Sequence, residues 1–304
     1  DRLFTEEEEQ PQSDIMDVKL EPIYPEIAAT IQQAYAVGSS ICEEAESESS
    51  VKVNDITKKT PAQCQETKTS YDNTKEINNY DKQVIAANTI DFSDTKIAFL
   101  GDSITAGVGL EEIGVEENVY TTVVKRALNP EAVYRFGYGG YGMSYLGDSL
   151  LDKYENIPFD TDIIFVLAGT NDVYDGSEDE MGSLNDLSTG TFFGDTYKLM
   201  TSLQIRYPEA EIIFLTPMST ITNTWYQEML PDMLPMERYV NAIKAVGEKT
   251  GVTVWDLYNE NLLDSYNENV MAEYSVDGVH PGVAGHRVLG EHIASELIRM
   301  KMGE

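Results

Sequence analysis

From about residue 95 onward the chain alternates short apolar, β-branched runs with longer stretches in which apolar residues recur at helical spacing. The runs fall at Lys96–Leu100, Ala132–Arg135, Asp162–Leu167, Glu211–Thr216 and Val252–Leu257. Each has the length of a strand, and each is apolar enough through its middle to be covered on both faces. The intervening pattern predicts helices over Tyr120–Leu128, Ser144–Tyr154, Thr196–Tyr207, Met236–Thr250 and Gly285–Met300. Five buried strands separated by helices predict an α/β fold, a five-stranded parallel sheet with helices on both faces. In such sheets ligands bind beyond the carboxyl ends of the strands.

Residues 1–80 break with this pattern. They are rich in Glu, Ser, Thr, Asn, Gln and Lys, with acidic runs at Glu6–Glu9 and Glu43–Glu48, and that composition reads as a linker or tether. One stretch, Tyr24–Ile41, places Ile27, Ile31 and Tyr35 at helix-like spacing, so a short helix docking on the main body is an alternative there. The chain therefore divides into an N-terminal accessory segment or linker, 1–90, and a main domain, 91–304. Removing residues 1–80 is expected to leave that domain folded.

Charge narrows the partners. The 304 residues carry a net charge of −32. Residues 1–90 hold 18 acidic and 8 basic side chains, so most of the excess lies in the main domain. A field of that sign repels nucleic-acid phosphates and anionic lipid surfaces, and nucleic-acid binding is not expected. The longest apolar run, Ile163–Ala168, is far below the ~20 residues of a membrane-spanning helix, so no membrane insertion is expected. The start at Asp1 rather than Met suggests a removed leader, which makes an extracellular or cell-surface location the expectation, with a cytoplasmic one as the alternative. Cys42 and Cys64 lie in the N-terminal segment. A disulfide there would close a loop of about 22 residues and contribute about 3 kcal/mol; two free thiols are the alternative.

Four segments carry candidate chemistry. The first predicted strand runs into Gly101-Asp102-Ser103-Ile104-Thr105, which sets a serine hydroxyl where a strand gives way to a helix, beside unpaired helix N–H groups. A capping role for Ser103 would be the plain alternative. Thr105 stands where the nucleophile elbow of α/β-hydrolases needs its second glycine, so that arrangement is disfavoured. After the second strand, Phe136-Gly137-Tyr138-Gly139-Gly140-Tyr141-Gly142 lets backbone N–H groups approach a ligand closely; its spacing does not match a dinucleotide loop. After the third comes Ala168-Gly169-Thr170-Asn171-Asp172, where the Asn171 amide could donate to an oxyanion or could serve as an ordinary turn residue. Near the C-terminus, Asp277-Gly278-Val279-His280-Pro281 sets a carboxylate three residues before an imidazole. On a turn, Asp277 can accept from the ring N–H and leave the other nitrogen free to take a serine proton. His286 and His292 fall within the last predicted helix, where a surface or packing role is expected, so His280 is the candidate base.

Taken in order, a serine, a glycine, an asparagine and Asp-x-x-His, each after a strand or before the last helix, resemble the SGNH/GDSL hydrolase family over about residues 95–302. The resemblance implies a three-layer α/β sandwich of flavodoxin-like architecture. It implies catalytic roles for Ser103 as nucleophile, His280 as base and Asp277 as its orienting acid. It also implies an oxyanion hole from the Ser103 N–H, the Gly140 N–H and the Asn171 side chain. The glycine block departs from the family in having Arg135 where an asparagine commonly stands, which bears on the choice of Gly140 over Gly139. No metal and no organic cofactor is needed for this chemistry.

The acidic cluster Asp172, Asp175, Glu178, Asp179 and Glu180 lacks the spacing of a calcium loop and reads as a solvated surface. The apolar connection Met218–Met236, with Trp225, Tyr226, Met229, Leu230, Met233 and Leu234, reads equally as a substrate-facing rim or as core packing. The expected partner is a small-molecule or glycan ester. The tyrosines Tyr138, Tyr141 and Tyr145 beside the glycines suit sugar rings and favour an acetyl or other short acyl ester on a neutral carbohydrate. A lipid-ester lipase, an acyltransferase and a non-catalytic carbohydrate-binding module of the same fold are the alternatives.

Overall fold

The five apolar runs form a single sheet in the order β2-β1-β3-β4-β5, all parallel, in a computed structural model that describes residues 61–144, 148–174, 176–221 and 233–303. Its strands are β1 (Lys96–Gly101), β2 (Ala132–Gly137), β3 (Ile163–Leu167), β4 (Glu211–Leu215) and β5 (Thr253–Trp255). The helices are α1 (Pro61–Ala86), α2 (Ser103–Ala106), α3 (Val115–Asn118), α4 (Tyr120–Leu128), α5 (Glu178–Met181), α6 (Phe192–Arg206), α7 (Met236–Thr250), α8 (Leu257–Glu260), α9 (Glu268–Tyr274) and α10 (Val283–Met302).

The period of two along each strand divides the core into two layers. Ile97, Phe99, Ile163, Phe165, Leu167, Ile213 and Leu215 pack with α4, α9 and α10. Ala98, Leu100, Ile164, Val166, Ile212 and Phe214 face the opposite way, against α6 and α7. Both faces are thus covered, which gives the three-layer α/β sandwich its apolar strands require. Among the described residues no helix is long and apolar enough to cross a membrane.

Two expectations need correction. The described residues of Ser144–Tyr154, 144 and 148–154, form no α-helix: two short 3-10 turns, Leu150–Asp152 and Tyr154–Asn156, occupy the end of the stretch. The Met143 and Ser144 N–H groups donate instead to the Asp172 side chain, at 3.0 and 2.7 Å, a tertiary contact that overrides local spacing. Residues 61–80, read from composition as tether, belong to the 26-residue helix α1, which packs on α10. Its inward stripe is polar: Thr74, Asn78 and Asp81 are buried, and each is met by a partner. Thr74 Oγ1 donates to the Leu262 carbonyl at 2.9 Å, Asn78 Nδ2 to Glu291 at 2.7 Å, and Asp81 meets His292 at 3.0 Å. Tyr71, Ile77, Val84 and Ile85 pack alongside. The stretch Tyr24–Ile41, Cys42 and the side chain of Cys64 lie outside the described residues.

Candidate active site

Register brings the candidate loops to one place. Gly101, the last residue of β1, pairs with Gly137 of β2 on one side and with Leu167 of β3 on the other. The segments that follow, carrying Ser103, Gly140 and Asn171, therefore leave the sheet at the same level from three adjacent strands. Asp102 caps α2, its side chain accepting from the Ile104 N–H at 2.9 Å, and Ser103 takes the first helical position, where the backbone N–H has no intrahelical acceptor.

The Asp277–His280 loop, between α9 and α10, meets this end of the sheet. His280 Nε2 lies 2.9 Å from Ser103 Oγ, and His280 Nδ1 lies 2.7 Å from Asp277 Oδ2. The other Asp277 oxygen accepts from the Val279 and His280 backbone N–H groups at 2.9 and 2.7 Å. The loop is pinned from behind, because Ser275 Oγ donates to the His280 carbonyl and accepts from Gly278 N–H.

The electrostatics follow from these contacts. Burial alone would raise the Asp277 carboxyl, but the hydrogen bonds and charge of His280, with the Val279 N–H, hold it below the usual carboxylate range. Burial alone would lower the His280 imidazole, and the Asp277 carboxylate outweighs it, so the ring titrates above an ordinary histidine. Asp102, fully buried beneath the serine, is pushed up to about 7 by burial, the Ile104 N–H working the other way.

Asn171 Nδ2 donates one of its two hydrogens to the Tyr141 carbonyl at 2.8 Å, which orients the amide and leaves its second N–H available. Tyr141 closes the turn that carries Gly140, its N–H donating to the Tyr138 carbonyl at 3.2 Å. Gly140 is exposed, with φ +80°, a backbone position that favours glycine; Gly139 has no positive φ.

Four residues that shape the site were not recognised in the sequence. Asp172 does not belong to a solvated surface: it is buried and accepts the Met143 and Ser144 N–H groups. Burial pushes its carboxyl up to about 6, against those two hydrogen bonds. A Cβ on Gly142 would stand 2.4 Å from Asp172 Oδ2, so the close approach needs glycine there. Asp195 accepts from Ser144 Oγ at 2.7 Å and from Gly190 N–H. Arg135, within β2, donates to the Ala106 carbonyl at 2.7 Å and pairs with Glu116, fastening the end of α2 to the neighbouring strand. Among the rest of the acidic cluster, Glu178 pairs with both Arg238 Nη atoms, at 2.7 and 2.8 Å, and Glu180 completes a capping box with Ser177. Asp175 lies outside the described residues.

The Tyr138 and Tyr141 rings stand 5.3 Å apart at 42°, and Lys153 Nζ lies 5.3 and 5.1 Å from their centres. Tyr145, Trp225, Tyr226, Met229 and Leu230 lie outside the described residues, while Met233 and Leu234 are buried. The remaining histidines both turn inward. His286 stacks on Tyr120 and accepts its N–H, and burial lowers its imidazole to about 3.

The GDSL-like lipase/acylhydrolase family matches residues 99–288, which contain every site residue named above. A search of curated proteins finds no significant match. Among solved structures, a Lactobacillus plantarum protein is 27% identical with a TM-score of 0.56, over 68% of this chain and 97% of that one. A possible lipase from Chitinophaga pinensis, 20% identical with a TM-score of 0.54 over 69% of this chain and 99% of the other, shares the fold. With the family covering well over half of its length, this chain belongs to the GDSL-like lipase/acylhydrolase family and is an ester hydrolase.

Proposed function

We propose that the chain is a serine esterase that removes short acyl groups, acetyl foremost, from a neutral carbohydrate. The observation that carries the reading is the continuous hydrogen-bonded path from Ser103 Oγ through His280 to Asp277. In this reading Ser103 Oγ attacks the ester carbonyl, and His280 Nε2 takes its proton and then delivers it to the leaving alcohol. Asp277 holds the imidazole in the productive tautomer and offsets the charge it gains. The oxyanion is met by the Ser103 and Gly140 N–H groups and by the second Asn171 N–H. Water, deprotonated by His280, then releases the acid from the acyl-enzyme.

The substrate class rests on the Tyr138–Tyr141 pair beside the Gly140 turn, two amphipathic rings suited to the faces of a sugar, and on a net charge of −32, which disfavours anionic lipid surfaces. The test compares acetate release from acetylated xylan and mannan oligosaccharides with hydrolysis of C2 to C12 nitrophenyl esters, using Ser103→Ala as control. Acetate release that Ser103→Ala reduces by a factor of about 10³ or more is expected. Preference for C8 or longer, with no acetate freed from any glycan, would replace the carbohydrate reading with a lipid-ester one. A Ser103→Ala variant above about a tenth of wild-type activity would remove Ser103 from its role.

A further inference from the structure

On the side of the sheet where α1 packs against α10, a second group of titratable residues has no part in the ester chemistry. His292 and Glu296, four residues apart on α10, share a helix face. Asp81 of α1 comes to meet them, and one ligand atom from each of the three lies within 4.8 Å of the others. Asp81 is 1% exposed; its Oδ2 stands 3.0 Å from His292 Nδ1, and its Oδ1 has no hydrogen-bond partner among the described residues. The other imidazole nitrogen, Nε2, is 2.8 Å from Glu260 of α8. Glu296 also accepts from Arg299 Nη1, at 2.6 Å, and a carboxylate has a second oxygen to offer.

We propose that Asp81, His292 and Glu296 form a structural site for a divalent cation of the zinc class, which staples α1 to the hydrolase domain. The donor set, one imidazole nitrogen and two carboxylates, suits a borderline ion, with a fourth position for water. Glu260 occupies the place of the outer carboxylate that fixes the tautomer and orientation of a ligating histidine. Two ligands at ~2.05 Å from a tetrahedral zinc stand about 3.3 Å apart, near the 3.0 Å between Asp81 Oδ2 and His292 Nδ1. A Glu296 carboxylate oxygen already lies within 4.8 Å of the other two ligand atoms, and binding would exchange part of its contact with Arg299 for the ion. The buried Oδ1 of Asp81, costly to leave without a partner, gains the ion's charge beside it.

The competing account of the same cluster is a protonated imidazole bridging Asp81 and Glu260. Burial alone would lower His292, but those two carboxylates raise it to about 9.

The full chain, purified without chelator, would be dialysed against zinc, with manganese, cobalt and nickel in parallel, and assayed for bound metal. Thermal melts with EDTA and with added ion would be measured for wild type, Asp81→Asn and Glu296→Gln. The expected result is about one ion per chain and a saturable rise in Tm of about 5 °C or more, both absent from the two variants. Nitrophenyl acetate hydrolysis at 25 °C should be the same with and without EDTA, because the ion lies apart from Ser103 and His280. No bound ion and no saturable shift in wild type would overturn the proposal in favour of the imidazolium bridge. Binding retained by both variants would place the ion elsewhere and overturn it equally. Neither result bears on Ser103→Ala, so this inference and the proposed function fail independently.

Discussion

Asp172→Asn separates stability from activity at this site. The wild-type carboxylate accepts two backbone N–H groups, from Met143 and Ser144, and so holds the segment directly after the Gly140 turn. The amide keeps one acceptor and turns an NH₂ group toward the second N–H; losing a charge-assisted bond and leaving a buried donor unmet costs about 1.5–3 kcal/mol. Against this, burial raises the Asp172 carboxyl from its ordinary 3.8 to about 6. For a raised acid the ionisation cost is absent below the unfolded value and grows as pH climbs toward the folded one. At neutral pH it amounts to about 3 kcal/mol, which the amide does not incur. That net cost already includes the two hydrogen bonds, so the two figures are separate limits of about 3 kcal/mol in opposite directions rather than terms to be summed, and Tm should move by less than about 6 °C either way. Activity has no such opposing limit. A displaced Met143–Ser144 segment carries the Tyr141 carbonyl that orients Asn171, and a shift of about 1 Å in such a group costs up to 10²-fold. We expect kcat on nitrophenyl acetate to fall about 10- to 100-fold with little change in KM, measured beside melts followed by circular dichroism. A variant with wild-type Tm and kcat within a factor of two would refute the reasoning.

The pH profile of kcat/KM should rise with a midpoint above the ordinary histidine value of 6.5, since Asp277 holds the His280 imidazole up and only its neutral form can act as base. Asp277→Asn should move that limb downward, and a midpoint at or below 6, or a profile falling through neutrality, would contradict the assignment. Truncation should also be informative when a chain starting at residue 81 is compared with one starting at 61. The shorter chain loses the Thr74–Leu262, Asn78–Glu291 and Ser70–Asp264 hydrogen bonds and the packing of Tyr71 and Ile77. The six helical residues left are too few to hold a helix. A loss of about 3–5 kcal/mol, or about 8–15 °C in Tm, is expected, and melts within 2 °C of each other would show that α1 contributes nothing to the domain.

The strands of this protein were legible in its sequence because their apolar runs are local and strong. All five form, and α4 and α7 span the residues their spacing predicts. The family resemblance was legible for a related reason. Each of the first three blocks is a few residues long and sits at a strand end, so strand assignment alone set the Ser103, Gly140 and Asn171 segments on the same edge. Chain order is silent about meetings between distant segments. Ser103 and His280 are 177 positions apart, and only the packing of α10 across the sheet brings Nε2 to 2.9 Å from Oγ. Asp172 read as one more acid in an acidic run, because nothing local reveals that the loop after β2 buries it. The most instructive case is α1. Its buried stripe of Thr74, Asn78 and Asp81 has helical spacing but no apolar signal, and so it resembled a tether. Those side chains become core only because Leu262, Glu291 and His292, some 200 residues downstream, supply the partners that make burying them affordable.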